Sequence, residues 1–262
     1  MSQTADPEPA TPAPGAGVAI PDAGTPRLGA VATFGWALLI FAIGQAAGTA
    51  TVAIINLANG MPALLVTGYD GMLVALLTLV TNPIQVALFA GVARWRTGSD
   101  PFAYLALTRF SARDFAVGFA AIVALAAAIN IFSRVAGLDT VSSFETDIFT
   151  SSRAEGWLAA LLLAIVVVGP IGEEVMFRGF LFRGWVRPGS GWRAALAIVV
   201  ITMLWSAMHI QYDWFGISQV FLTGLVLGWI RWRSGSCLLT IVLHMLVNLE
   251  STIEAMVRVS GT

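Results

Sequence analysis

The chain has no lysine: all 14 of its basic residues are arginine. It has one cysteine and two histidines, and only 11% of its 262 residues are charged. Each scarcity excludes something. A soluble domain carries about 25% charged residues, so this composition, with 57% hydrophobic residues, reads as an integral membrane protein. A net charge of -1 removes the electrostatic footprint of a nucleic-acid binder. The single thiol, Cys237, cannot close an internal disulfide, and no CxxC or Cys/His metal spacing accompanies it. It reads as a small residue near a helix start. No Gly-x-Ser-x-Gly elbow and no His-Glu-x-x-His pair is present either.

Residues 1–27 differ from the rest. Ala, Pro, Gly, Thr and acidic residues dominate, and Arg27 is the only base. Such a segment buries too little apolar surface to offset its ordering entropy. It lacks the basic start and apolar core of a signal peptide. It is expected to be a disordered tail, with 28–262 forming one transmembrane helical domain.

A bilayer-crossing helix needs about 20 mostly apolar residues. Seven stretches qualify, near 30–56, 71–94, 114–137, 156–182, 193–211, 214–231 and 236–257. The fold class expected is therefore all-α, a polytopic bundle of about seven spans. Asn82-Pro83 predicts a kink in the second. Ser99-Asp100-Pro101 predicts the capped start of a short interfacial helix carrying Phe102 and Leu105. Arginines alternate between loops: Arg94, Arg96, Arg109 and Arg113, then Arg183, Arg187 and Arg193, then Arg231 and Arg233. The loops between are poor in bases, and the one at 138–155 is acidic. The pattern predicts a cytoplasmic N-terminus.

Against this background a few polar groups stand out. Glu173 and Glu174 lie inside an apolar run, with Arg178 one turn beyond. Charges at membrane depth cost about 3 kcal/mol each on insertion scales, so they mark functional sites. Both histidines fall in apolar stretches. Trp205 and His209 are four apart, as are His244 and Asn248, so each pair is expected on one helix face. Read singly, each group has a structural role: Glu174–Arg178 as an ion pair, the histidines and Asn248 as interhelical hydrogen bonds, Trp205 as core. Read together, they form a set able to activate water. A desolvated carboxylate can serve as general base. A His and an Asn one turn apart can bind a developing oxyanion. Glu and two His could also hold a divalent metal such as zinc with a position open to water. Spacing does not choose between the two.

Glu173-Glu174-x-x-x-Arg178, Trp205-x-x-x-His209 and His244-x-x-x-Asn248 resemble, in order and spacing, the three motifs of a known family. It is the CAAX protease and bacteriocin-processing group of intramembrane endopeptidases, which includes the type II CAAX prenyl endopeptidase. The resemblance covers about 155–250. It implies a catalytic cavity inside the membrane and cleavage of a membrane-associated peptide or membrane protein, prenylated or not. Carried over, Glu173 activates water, His209 positions it, His244 and Asn248 stabilise the oxyanion, and Glu174 and Arg178 form a supporting ion pair. Trp205 departs from the family's Phe. Other members of the group imply a non-enzymatic scaffold or immunity role, and buried carboxylates and imidazoles also build proton or ion pathways. Arginine-only usage with abundant Ala and Gly points to a bacterial plasma membrane. One difficulty is internal to this reading. Glu173 lies about 17 residues into its span and His209 about 16 into the next, so straight antiparallel helices would leave them at different depths. A break at Gly169-Pro170, or an interfacial start near Trp192, would bring them level.

Overall fold

The computed structural model describes residues 27–62, 70–186 and 191–261. Apart from Arg27, the expected tail lies outside the described residues. Among the described residues the secondary structure is helical, without strands. In chain order the helices are α1 (Ala30–Ala58), α2 (Gly71–Thr97), α3 (Pro101–Tyr104), α4 (Ala112–Ala136), α5 (Ser143–Glu155), α6 (Leu158–Trp185), α7 (Gly191–Ser206), α8 (Trp214–Ser234) and α9 (Cys237–Ser260). Their ends follow capping rules. Ser111, Ser142, Asp213 and Ser236 each accept a backbone N–H three residues on, and Gly98, Gly137, Gly156 and Gly235 close helices at positive φ.

Six of these helices, α1, α2, α4, α6, α8 and α9, are long and apolar enough to cross a membrane. The expected seventh span, 193–211, is shorter than foreseen. Helix α7 has 16 residues, or about 24 Å at 1.5 Å per residue. After Ser206 the chain leaves the helix, and Asp213 caps the next one. His209 therefore sits in a turn, not on a helical span. Pro83 lies inside an unbroken α2, where the Asn82 amide donates to the Thr78 carbonyl at 3.1 Å. The short helix after Asp100 exists as α3. Asp100 caps it at 2.8 Å, Leu105 beyond its end is buried and Phe102 is exposed.

The acidic segment 138–155, expected as loop, contains α5. Its start is a capping box: Ser142 and Glu145 each bond the other's backbone. Phe144, Ile148 and Phe149 bury its inner face against Ala75, Leu161 and Ala255. A larger core gathers around Phe89, Phe177, Phe180, Leu227 and Leu239 at the end nearer α3.

Helix α6 is the axis of the site. It runs without a break through Gly169-Pro170, but two stretches, Ala164–Val168 and Val175–Leu181, are wound as π-helix. Gly169 N–H reaches back five residues to Ala164 O, and Pro170 brings no N–H to restore the tighter ladder. Between the π turns lie Gly169–Glu174. Helix α2 presses on this segment. A Cβ at Gly172 would stand 1.9 Å from Asn82 Oδ1, so the contact requires glycine.

Candidate active site

The two adjacent glutamates face different surroundings. Glu174 is fully buried: Oε1 accepts Arg178 Nη1 at 2.8 Å and lies 3.1 Å from His244 Nδ1. The Arg178 guanidinium also donates Nη2 to Gly224 O at 3.1 Å and lies over the Trp205 ring, 4.5 Å from its centroid. The buried cation thus has a carboxylate, a carbonyl and an aromatic face for partners, while its Nε makes no hydrogen bond among the described residues. The expected Glu174–Arg178 pair is present, and His244 joins it.

Glu173 is half-buried and faces a cavity of about 740 Å³. The same cavity is lined by His209, His244 and Asn248, and by Trp205, Tyr212 and Gly169. The structure thus brings all four candidate catalytic residues to one wall system, contributed by α6, the turn after α7, and α9. Trp205 Nε1 donates to Glu173 Oε2 at 2.6 Å. His209 Nδ1 is 2.9 Å from Trp205 O, and its ring meets the indole edge-on at 5.2 Å. His244 also meets the indole edge-on, at 5.3 Å. Asn248 Nδ2 donates to Ile165 O at 2.9 Å, a carbonyl in the first π stretch. Through Trp205, Glu173 and His209 stand at one level of the bundle. A short α7 and the rewound α6 remove the depth conflict without a helix break.

Two residues of the site carried no role in the sequence. Trp205 read as core, yet a buried indole N–H needs an acceptor, and the nearest is the candidate base. Tyr212 lies in the turn beyond His209. Its ring stacks on that imidazole at 6.0 Å and 7°, and meets Phe144 edge-on at 5.5 Å. Burial pushes the Tyr212 hydroxyl pKa well up, and the negative charges of Glu145 and Glu173 push the same way. Nothing in the local pattern marked it, since a turn has no period.

Along the cavity wall, α5 and the segment before it are tied to α9. Glu145 accepts Ser251 at 2.8 Å, Thr140 bonds Glu254, and Arg258 pairs with Asp139 at 2.6 Å. Donors do not gather as a metal centre: among the described residues no three His, Cys, Asp or Glu side chains are placed to hold an ion. The zinc alternative therefore lacks a ligand set in this arrangement.

Comparison with known proteins bears on the same region. Residues 155–249 match the family model of type II CAAX prenyl endopeptidase Rce1-like proteins. The matched segment is similar to Rce1-like domains. It holds Glu173, Arg178, His209, His244 and Asn248. The chain is also similar to an uncharacterized 24.3 kDa protein of Escherichia coli, 35% identical over 85 residues, which are 32% of this chain and 39% of that protein. The match thus spans well under half of that relative. No solved structure matches. The matched segment sits in a helical membrane bundle whose α1 to α4, and α5 up to its last residue, lie outside the match.

Proposed function

We propose that this chain is an intramembrane endopeptidase that hydrolyses peptide bonds of a membrane-associated substrate through water activated by Glu173. The observation that carries the reading is the convergence of Glu173, His209, His244 and Asn248 on one cavity. The Rce1-like match over 155–249 supports the protease class.

Glu173 is the general base. It takes a proton from water as the oxygen attacks the scissile carbonyl, and later passes a proton to the leaving amine. His209 positions that water; its Nδ1 is occupied by Trp205 O, so Nε2 is the nitrogen left for the task. His244 and Asn248 stabilise the oxyanion. Glu174 binds Nδ1 of His244 and balances the proton that Nε2 must carry in this role. Asn248 keeps one N–H for the oxyanion while the other is fixed on Ile165 O. Arg178 holds Glu174 and thereby His244. No step is routed through a metal.

The substrate class is a peptide or membrane protein reached within the lipid bilayer, prenylated or not. Arginine placement supports a cytoplasmic N-terminus, and composition a bacterial plasma membrane. The test is purified full-length protein in lipid nanodiscs with a panel of membrane-associated peptides, with and without a prenyl group. Cleavage by the native protein and none by Glu173→Gln is expected. Undiminished cleavage by that variant would remove Glu173 as base.

A further inference from the structure

We infer that Trp205 is a positioning residue that fixes which oxygen of Glu173 meets water; the catalytic part of this inference rests on the peptidase reading above. The geometry begins with the indole. Trp205 is 2% exposed, and its one polar atom, Nε1, donates to Glu173 Oε2 at 2.6 Å. An N–H held on a carboxylate is a charge-assisted bond, about twice as strong as a neutral one. It occupies one lone-pair direction of Oε2 and stops the carboxylate from turning freely. The other oxygen, Oε1, lies toward Gly169 on the cavity wall, where a Cβ would stand 3.8 Å from it. Glu173 is thus held in one orientation at the cavity wall, with Oε2 on the indole and Oε1 as the oxygen without that tether.

The indole can act as a ruler because it is itself held. Arg178 lies over its face at 4.5 Å, and His209 and His244 meet it edge-on at 5.2 and 5.3 Å. On its far side Gly224 makes room: a Cβ there would stand 2.8 Å from Trp205 Cε3. One rigid ring therefore sets the base against the groups proposed to place water and oxyanion. A phenylalanine at this position would keep the packing and lose the tether. That separates the two roles of the ring and makes the inference testable.

The experiment uses full-length protein in nanodiscs with indole nitrogens labelled with ¹⁵N. The Trp205 N–H resonance is identified by its loss in Trp205→Phe. It is expected well downfield, and to move upfield in Glu173→Gln, where a neutral amide replaces the charged acceptor, while the other indole signals stay in place. A Trp205 signal indifferent to Glu173→Gln would overturn the tether whether or not the protein is a peptidase. Where a peptide is cleaved, Trp205→Phe should lower kcat by about tenfold to a hundredfold, the worth of one hydrogen bond to a charged group, with KM changed less than about twofold. Unchanged kcat with a confirmed tether would overturn the positioning role and leave the peptidase reading standing. Trp205→Leu, which removes ring and donor together, should raise KM as well.

Discussion

Helix α6 separates two regions that share a sequence and differ in access. On one side Glu174 and Arg178 are at most 1% exposed and close on His244, which reaches from this sealed pair to the cavity wall. On the other Glu173, His209 and Asn248 are half-buried around a 740 Å³ space. Neighbouring glutamates have thereby been given separate tasks. In the sealed region a charge costs so much to desolvate that it must be matched, and its removal is felt by the fold. In the open region a carboxylate borders the cavity, and under the proposed mechanism its removal is expected to be felt by the chemistry. Trp205 touches both regions, with Arg178 over its ring face and Glu173 at its Nε1 edge.

The contrast can be broken most visibly at Glu173. Glu173→Gln should cut peptide cleavage at least about a hundredfold, the usual contribution of a general base, while leaving the thermal midpoint in detergent almost unmoved. Activity and melting measured on one preparation check both halves. Arg178→Ala should do the reverse first. It strands the Glu174 carboxylate, at a cost of about 3–5 kcal/mol, and should appear as a sharp drop in thermal midpoint or in folded yield. If Arg178→Ala melted like the native protein, the sealed region would not be what holds α6, α8 and α9 together. Gly172→Ala should cost about 1–3 kcal/mol by overpacking against Asn82. A companion Asn82→Ala should recover part of the loss in the same melting assay.

Tyr212 sharpens the comparison, since it borders the open region with a shielded hydroxyl. Its raised pKa means that the protonated phenol is the form the fold prefers. The resulting stability is fully present below the ordinary tyrosine value of about 10 and is lost as pH rises through the folded value. Tyrosinate absorbance should therefore develop late at this residue, and Tyr212→Phe should remove that late step. A Tyr212 titrating like a free tyrosine would put it in bulk water. The smallest effect is expected on α4. Only 6% of its apolar window is buried, against 39% for α6, α8 and α9. Val123→Ala, at an exposed position, should change stability by no more than about 0.5 kcal/mol.

Much of this was legible before any coordinates. Apolar length located six spans, and two i to i+4 pairs, Trp205/His209 and His244/Asn248, fall on the cavity wall. What escaped did so for physical reasons. Helix α5 was hidden because its outer face is polar and acidic, although Ser142-x-x-Glu145 and Gly156 carried its two ends. His209 was placed on a helix because Met208 and Ile210 prolong the apolar run past the true end at Ser206. Chain length alone could not level Glu173 with His209, because π winding leaves no composition signal. The Trp205 tether was half visible: the need for an acceptor is a property of the residue, whereas its identity belongs to the fold.

The glycine at 172 has one more consequence. Asn82 belongs to α2, more than seventy residues before the first position recognised by kinship. Yet it bears directly on the backbone that carries the carboxylate proposed as base. The recognisable segment is thus only the furnished half of a room whose opposite wall is built from unrelated-looking chain. Moved alone into another host, 155–249 would keep every motif and lose the stop against which they are aligned.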